Sequence, residues 1–312
     1  AFKDFGARVM ALIFQHLLKK TTEKYHIIVA TSGDTGSAVA NAFSMTDIPV
    51  TIFYPSEGVS KFQEQQITKY GKNITCLSVK GTFDDCQKNV KQLLSSSSDR
   101  VKYITANSIN ITRLIPQMLY YFISYAGLKK KHQNLSDYKL IYSVPSGNLG
   151  NVTAGILSKI CGLPIDKFII SSNENDSFLR YLKTKEIIPY KSKKTVSNAM
   201  DVGNPSNIKR IIKLLSHEQL INIVDSYSVS DKETLQTIKY VYSKYDYLID
   251  PHTSVGYYAI NKLYPQTTQE SMIKVTLSTA SPYKFLEVVN EAIGKSIKYP
   301  NHLEQYLTEK QY

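Results

Sequence analysis

The 312-residue chain has no tryptophan, only three cysteines and no long apolar run. The thiols Cys76, Cys86 and Cys161 are too few, and odd in number, for a disulfide scaffold. With no CxxC pair and no histidine cluster at ligand spacing, they also argue against a structural metal. A reducing compartment fits them, so a cytoplasmic location is expected. No stretch approaches the ~20 apolar residues that cross a bilayer, and no secretory hydrophobic region is visible, so no membrane partner is expected. Gly 14 and Pro 11 are too few for a collagen-like or low-complexity chain. Acidic residues are also scarce: 26 face 38 basic ones, leaving a net charge of +12. Such a surplus would suit phosphates, nucleic acid or a membrane surface. In a lysine-rich, tyrosine-rich chain it reads instead as a compositional bias on solvated faces. Two phosphate signatures are missing: without GxxxxGK[ST] and GxGxxG spacing, neither nucleotide hydrolysis nor nicotinamide chemistry is supported.

What is present is a globular pattern, with 42% hydrophobic and 21% charged residues over a length that suits one large domain or two ordinary ones. Short β-branched or aromatic runs alternate with segments of helical period, the mark of parallel βαβ units and an α/β class. Strands are predicted over 25–30, 50–54, 74–79, 102–105, 140–144, 168–171 and 274–277. Helices are predicted over 7–20, 37–44, 61–70, 84–94, 114–125, 152–161 and 283–293. The polar stretch from Lys129 to Tyr138 reads as a surface crossing, which divides the chain into a smaller domain (1–128) and a larger one (129–312). Ser95 to Ser98 reads as a loop, and the lysines between Lys183 and Lys194 as a solvated one. The chain starts at Ala1, directly before a chemically informative segment, so a preceding N-terminal portion, with room for a targeting signal, is expected.

Three strand-to-helix turns collect small hydroxyl, amide and glycine residues, where open α/β sheets bind ligands. The first, Thr31-Ser32-Gly33-Asp34-Thr35-Gly36, offers amides and a helix dipole to a carboxylate or phosphate, or else simply caps its helix. The second, Pro145-Ser146-Gly147-Asn148-Leu149-Gly150-Asn151, spaces glycines as in an amide nest for phosphate. The third, Leu277-Ser278-Thr279-Ala280-Ser281-Pro282, presents hydroxyls to a ring nitrogen or to the following helix. Arg113, at the mouth of another strand, suits a phosphate or a surface salt bridge. Read alone, His252 packs or caps in preference to serving as a proton shuttle, and Asp84 and Asp85 are helix-start charges rather than a paired acid and base.

Seven collinear segments then narrow these choices. Ala1-Phe2-Lys3-Asp4-Phe5-Gly6-Ala7-Arg8, SGDTGSAVA from Ser32, NSINITR from Asn107, VPSGNLGN from Val144, NAMDVGNPSN from Asn198, DPHTSVGY from Asp250 and STASPYKF from Ser278 together resemble the threonine synthase family across almost the whole chain. The resemblance implies a fold type II pyridoxal 5'-phosphate (PLP) enzyme of two α/β domains with an active-site cleft between them. It makes Lys3 the Schiff-base lysine and the acid/base at substrate Cα and Cβ. It gives Gly147, Asn148, Leu149, Gly150 and Asn151 the cofactor phosphate and Thr279 the pyridine nitrogen. It assigns Ser32, Gly33, Asp34 and Thr35 to the substrate carboxylate, and Asn107, Ser108 and Arg113 to its phosphate. The implied reaction converts O-phospho-L-homoserine and water to L-threonine and phosphate. A monomer or homodimer handling this small phosphorylated amino acid, with no nucleic-acid partner, is expected. A phospholyase releasing a 2-oxo acid is the near alternative, and a noncatalytic polyanion binder the remote one. Leu149 stands where the family often has Phe. Ser281 stands where many members have His, and Tyr283 where they have a small residue, so the role of Ser281 in specificity is open.

Overall fold

The computed structural model describes residues 2–96, 98, 100–265 and 271–308; Ala1, at the head of the lysine segment, and Ser97, within the predicted serine loop, lie outside them. In chain order the helices are α1 (Phe2–Leu18), α2 (Asp34–Phe43), α3 (Lys61–Thr68), α4 (Phe83–Ser95), α5 (Ile111–Leu114), α6 (Met118–Lys131), α7 (Gly150–Ile160), α8 (Ser177–Thr184), α9 (Ile208–Leu214), α10 (His217–Ile223), α11 (Asp231–Tyr245), α12 (Pro251–Leu263), α13 (Leu286–Ile293) and α14 (Asn301–Thr308). The strands are β1 (Tyr25–Ala30), β2 (Val50–Pro55), β3 (Ile74–Val79), β4 (Lys102–Thr105), β5 (Lys139–Pro145), β6 (Lys167–Ser172), β7 (Val224–Ser228) and β8 (Met272–Thr276).

The chain forms two compact units. The first holds residues 1–116 together with 283–286 and 296–312; the second holds 117–282 and 287–295. The division therefore falls before α6 rather than at the polar Lys129 to Tyr138 stretch. Lys129, Lys130 and Lys131 are the last turn of an unbroken helix, where positive charge suits the carbonyl end of the dipole.

The first unit is built on a parallel sheet of order β3-β2-β1-β4, with Ile27 and Ile28 of β1 opposite Val50 and Thr51 of β2. Its central strands are almost continuously apolar because helices cover both faces. Ile27, Val29, Val50 and Ile52 are buried with Val39 and Phe43 of α2 and with Ala7, Met10 and Ala11 of α1. Ser60 and Thr82 start α3 and α4 with reciprocal capping boxes, fixing where each crossover helix begins.

The second unit repeats the plan with order β7-β6-β5-β8, again all parallel. One core cluster joins Ile141 and Ile169 to Val255, Ala259 and Ile260 of α12. An aromatic cluster has Tyr121 at 5.6 Å from Tyr142 and 6.2 Å from Phe168, all fully buried. The edge strand β7 reads Val-Asp-Ser-Tyr-Ser and is only half-buried beyond its first residue, so it lacks the apolar run that marks its neighbours.

Phe168 is wholly enclosed. Phe168→Ala is expected to lower the unfolding free energy by about 3–5 kcal/mol in urea denaturation of the whole chain, through lost burial and the cavity left behind. A loss under about 1 kcal/mol would contradict a close-packed aromatic cluster.

Candidate active site

Both sheets reverse direction beside their first strand. In the first unit β2 and β3 lie to one side of β1 and β4 to the other; in the second, β6 and β7 lie to one side of β5 and β8 to the other. At such a reversal the loops leaving the two adjacent strands part, and the carboxyl ends open into a crevice. Four loops, those after β1 and β4 in the first unit and those after β5 and β8 in the second, together with the helix starts that follow them, hold every candidate residue except Lys3, which lies in α1.

After β1, Gly33 caps α2 at φ 125°. Any side chain there would be strained, and a Cβ would sit 2.4 Å from Gln63 Nε2. The Thr31 hydroxyl accepts the Gly33 and Gly36 N–H groups at 2.9 and 2.8 Å, so part of the turn's donor capacity is spent on its own shape. Asp34 is buried. Its Oδ1 accepts from Lys284 Nζ at 3.0 Å and from Gln63 Nε2 at 3.3 Å. The carboxylate thus anchors the turn, leaving the backbone and hydroxyls of Ser32 and Thr35 as the groups suited to an anion.

After β4, Asn107 clasps β1: its Nδ2 donates to Ala30 O at 2.6 Å, and its Oδ1 accepts from Ala30 N at 2.9 Å. One amide hydrogen remains for a ligand. Ser108 is buried beside it. Arg113 is no surface salt bridge: it is 2% exposed, and its Nη1 donates to Ala106 O at 3.3 Å.

Lys3 lies in the first turn of α1, and Gly6 follows one turn later on the same face. A Cβ at Gly6 would fall 2.1 Å from the Arg113 carbonyl oxygen, so α1 rests backbone to backbone on α5. This approach brings Lys3 under the influence of Asp34, Arg113 and Lys284. Lys3 is half-buried as a whole residue. Burial pulls its pKa down to about 8; Asp34 opposes that shift, while Arg113 and Lys284 add to it.

In the second unit, Leu149 adopts a left-handed backbone (φ 60°) immediately before α7, whose N-terminus has no side-chain cap. The first N–H groups of the helix are therefore free to serve an anion. Asn151 adds a donor: its Oδ1 accepts the Tyr120 and Tyr121 hydroxyls at 2.5 and 2.8 Å, while its buried Nδ2 has no partner among the described residues. The nest is braced by the 198–207 segment. Gly147 lies against the Met200 backbone, Ser206 N donates to Asn148 Oδ1 at 2.5 Å, and Asn207 Nδ2 donates to Asn148 O at 2.9 Å.

After β8, Thr279 is 5% exposed, and its hydroxyl has no hydrogen bond among the described residues. Its N–H donates to Thr253 Oγ1 at 3.4 Å, and Thr253 in turn donates to the α12 cap Asp250. His252 packs as its place at a helix start suggested. Its Nδ1 faces Asp250 Oδ1 at 2.9 Å and its Nε2 accepts Ala199 N at 3.1 Å, which puts the ring N–H on Nδ1 and ties α12 to the brace. Ser281 is exposed.

The first unit thus gathers Lys3, Ser32 to Thr35 and Arg113, with Asn107 and Ser108 on the neighbouring loop. The second gathers Gly147 to Asn151, and sets Thr279 on its own loop at the same sheet reversal. Sequence reading missed Lys284 and Gln63 as partners of Asp34, and the bracing work of Asn198 to Asn207. Lys284 meets Asp34 across 250 residues of chain, a pairing that no local spacing announces. Among the described residues no group of His, Cys, Asp or Glu could hold a metal.

Known proteins resemble this chain in sequence and fold. The family model for pyridoxal-phosphate-dependent enzymes matches residues 1–278, and that for the C-terminal part of threonine synthase matches 253–312. Threonine synthase of Buchnera aphidicola subsp. Baizongia pistaciae is 40% identical over 98% of this chain and 70% of its own length. The crystal structure of threonine synthase from Escherichia coli superposes with a TM-score of 0.89 at 36% identity, covering all of this chain and 71% of that one. A PLP-bound threonine synthase from Brucella melitensis superposes at 0.84 with 30% identity, covering all of this chain and 72% of that one.

The shifted Lys3 is directly measurable. In cofactor-free protein, Lys3 acylation followed by mass spectrometry should rise with a midpoint near pH 8, and Asp34→Asn should move that midpoint lower by removing the one charge that raises it. A midpoint at an ordinary lysine value would contradict the buried position of the amine.

Proposed function

The chain belongs to the threonine synthase family of pyridoxal-phosphate-dependent enzymes, and we propose how its residues divide the work of that activity, the conversion of O-phospho-L-homoserine and water to L-threonine and phosphate. The observation that carries the proposal is the donor set at the uncapped start of α7, completed by the unpartnered Asn151 Nδ2; the lowered pKa of Lys3 agrees with it. An amine titrating near 8 is neutral in about one molecule in ten at pH 7, whereas an ordinary lysine is neutral in fewer than about one in a thousand. A neutral amine is what both covalent capture of an aldehyde and proton abstraction require.

The residues fit PLP. The uncapped start of α7 and the unpartnered Asn151 Nδ2 are donors suited to a phosphate dianion, and Gly147, Asn148, Leu149, Gly150 and Asn151 would hold it. The Thr279 hydroxyl, neutral and uncommitted, would meet the ring nitrogen without forcing protonation there. Lys3 would hold the cofactor's aldehyde carbon. When bound, the cofactor supplies an electron sink that makes the protons on substrate Cα and Cβ removable.

Ser32, Gly33, Asp34 and Thr35 orient the substrate carboxylate at the dipole-positive start of α2. Asp34 takes part through its backbone, since its carboxylate is turned to Lys284 and Gln63. Asn107, Ser108 and Arg113 hold the substrate phosphate, with the buried guanidinium stabilising charge as phosphate departs from Cγ. Lys3 removes the proton from Cα, moves the one at Cβ, and with the carboxylate and phosphate both held sees a single face of the substrate. With phosphate gone, a proton is returned at Cγ, water adds its hydroxyl at Cβ while Cα regains a proton, and release of the product amine then leaves Lys3 as it began. The three cysteines are free thiols, which supports a reducing, cytoplasmic setting. No described helix is long and apolar enough to cross a membrane.

The protein supplied with PLP and O-phospho-L-homoserine should release phosphate and threonine in equal amounts. Lys3→Ala should lose at least about 1,000-fold in kcat, because the proton-transfer group goes with the side chain. Phosphate accompanied by 2-oxobutyrate in place of threonine would overturn the synthase reading in favour of a lyase.

A further inference from the structure

Away from these loops, the second unit carries a cavity of about 950 Å³ between the C-terminal halves of α11 and α12 and strand β8. Its size lies within the roughly 300–1,000 Å³ of small-molecule sites. The lining is unusual in two respects. Three lysines, Lys244, Lys262 and Lys274, face it, and no carboxylate is found among its described lining residues. Four tyrosines, including Tyr240, Tyr245 and Tyr257, supply aromatic surface, with the Tyr240 and Tyr245 rings at 87° to one another.

Each lysine meets different company. Lys274 Nζ donates to Asn261 Oδ1 at 2.9 Å and to the Tyr264 carbonyl at 3.0 Å. Two neutral acceptors thus fix the ammonium, and its third N–H and its whole charge remain for another group. Burial lowers its pKa, and the neighbouring Tyr245 opposes that shift. Lys244 sits 5.2 Å from the ring centroids of both Tyr240 and Tyr245 and donates to the Tyr240 hydroxyl at 2.7 Å, so the aromatic wall is set beside a positive charge. Lys262 is partly offset by Glu233, which accepts the Tyr258 hydroxyl at 2.7 Å from behind the wall.

From these groups we propose that the cavity is a second ligand site, one that binds a planar aromatic anion, a ring carrying a phosphate or carboxylate, up to the size of a mononucleotide. The ring lies on the tyrosines, and the anion is met by Lys274 and Lys244. A simple anion would leave the tyrosine wall wet, and a neutral ring would leave the lysine charge uncompensated, so the two halves must come in one molecule.

The test uses protein loaded with one equivalent of PLP and freed of excess, so that the nest at α7 does not compete. Phenyl phosphate, phenol and inorganic phosphate are titrated separately by calorimetry. Phenyl phosphate is expected to bind saturably with a dissociation constant below about 1 mM, and at least about tenfold more tightly than either half alone. Lys274→Met, which keeps the aliphatic stem, should weaken it at least about tenfold, and the surface change Lys244→Ala about threefold. Circular dichroism verifies the fold of both, and weakening in either folded variant supports the site. The proposal is overturned if phenyl phosphate shows no saturable binding, if it binds no better than phosphate or phenol, or if both variants bind it unchanged.

Discussion

Everything chemical in this protein hangs on where its parallel sheets reverse direction. A strand inside a parallel sheet spends its backbone on both neighbours, and its crossover helices cover its faces. Only the loops at the carboxyl ends are left to approach a ligand, and only where successive crossovers leave to opposite sides do two such loops spread apart. The chain builds this twice, at β1 and β4 and again at β5 and β8, and each reversal receives a pair of motif-bearing loops. The remaining elements hold the strands in register, or press the loops into shape from behind.

That pressing takes up part of the hydrogen-bonding capacity of several polar residues on or beside these loops. Asn107 spends both ends of its amide on the Ala30 backbone, Asp34 spends its carboxylate on Lys284 and Gln63, and Asn148 receives Ser206 and Asn207. Burying such groups is tolerable only when their hydrogen bonds are made. The ion pair of Asp34 with Lys284 is of this kind, and its merit is geometric as much as energetic, since a desolvated pair gives back much of its attraction. Next to it, Lys3 feels one negative and two positive charges within a poorly solvated setting. Burial outweighs Asp34 and brings the pKa of the amine down to about 8.

Much of the fold was legible in the sequence. The apolar runs of β1, β2, β5 and β6 announce strands covered on both faces, and the glycine and hydroxyl clusters after β1, β5 and β8 announce the ligand loops. The edge strand β7 escaped because Val-Asp-Ser-Tyr-Ser follows no apolar pattern, its side chains being half in water. The division between units escaped because lysines ending a helix resemble lysines in a linker. Of the candidate residues, those on the glycine-bearing turns were visible as local chemistry, whereas Lys3 was identified only through its resemblance to a family. Lys284, Gln63 and the 198–207 brace act through contacts that the three-dimensional path of the chain creates, so spacing along the sequence carried no trace of them.

The orphan amide of Asn151 has a bearing on the stability of the folded chain. Its Nδ2 is withdrawn from bulk water without a partner among the described residues, a cost of about 1–3 kcal/mol for such a group, and it sits beside the uncapped first N–H groups of α7. A ligand that meets those donors binds the folded chain and not the unfolded one, so it shifts the population toward the native form. The same donors that would hold a ligand therefore tie the stability of this turn to whether it is bound.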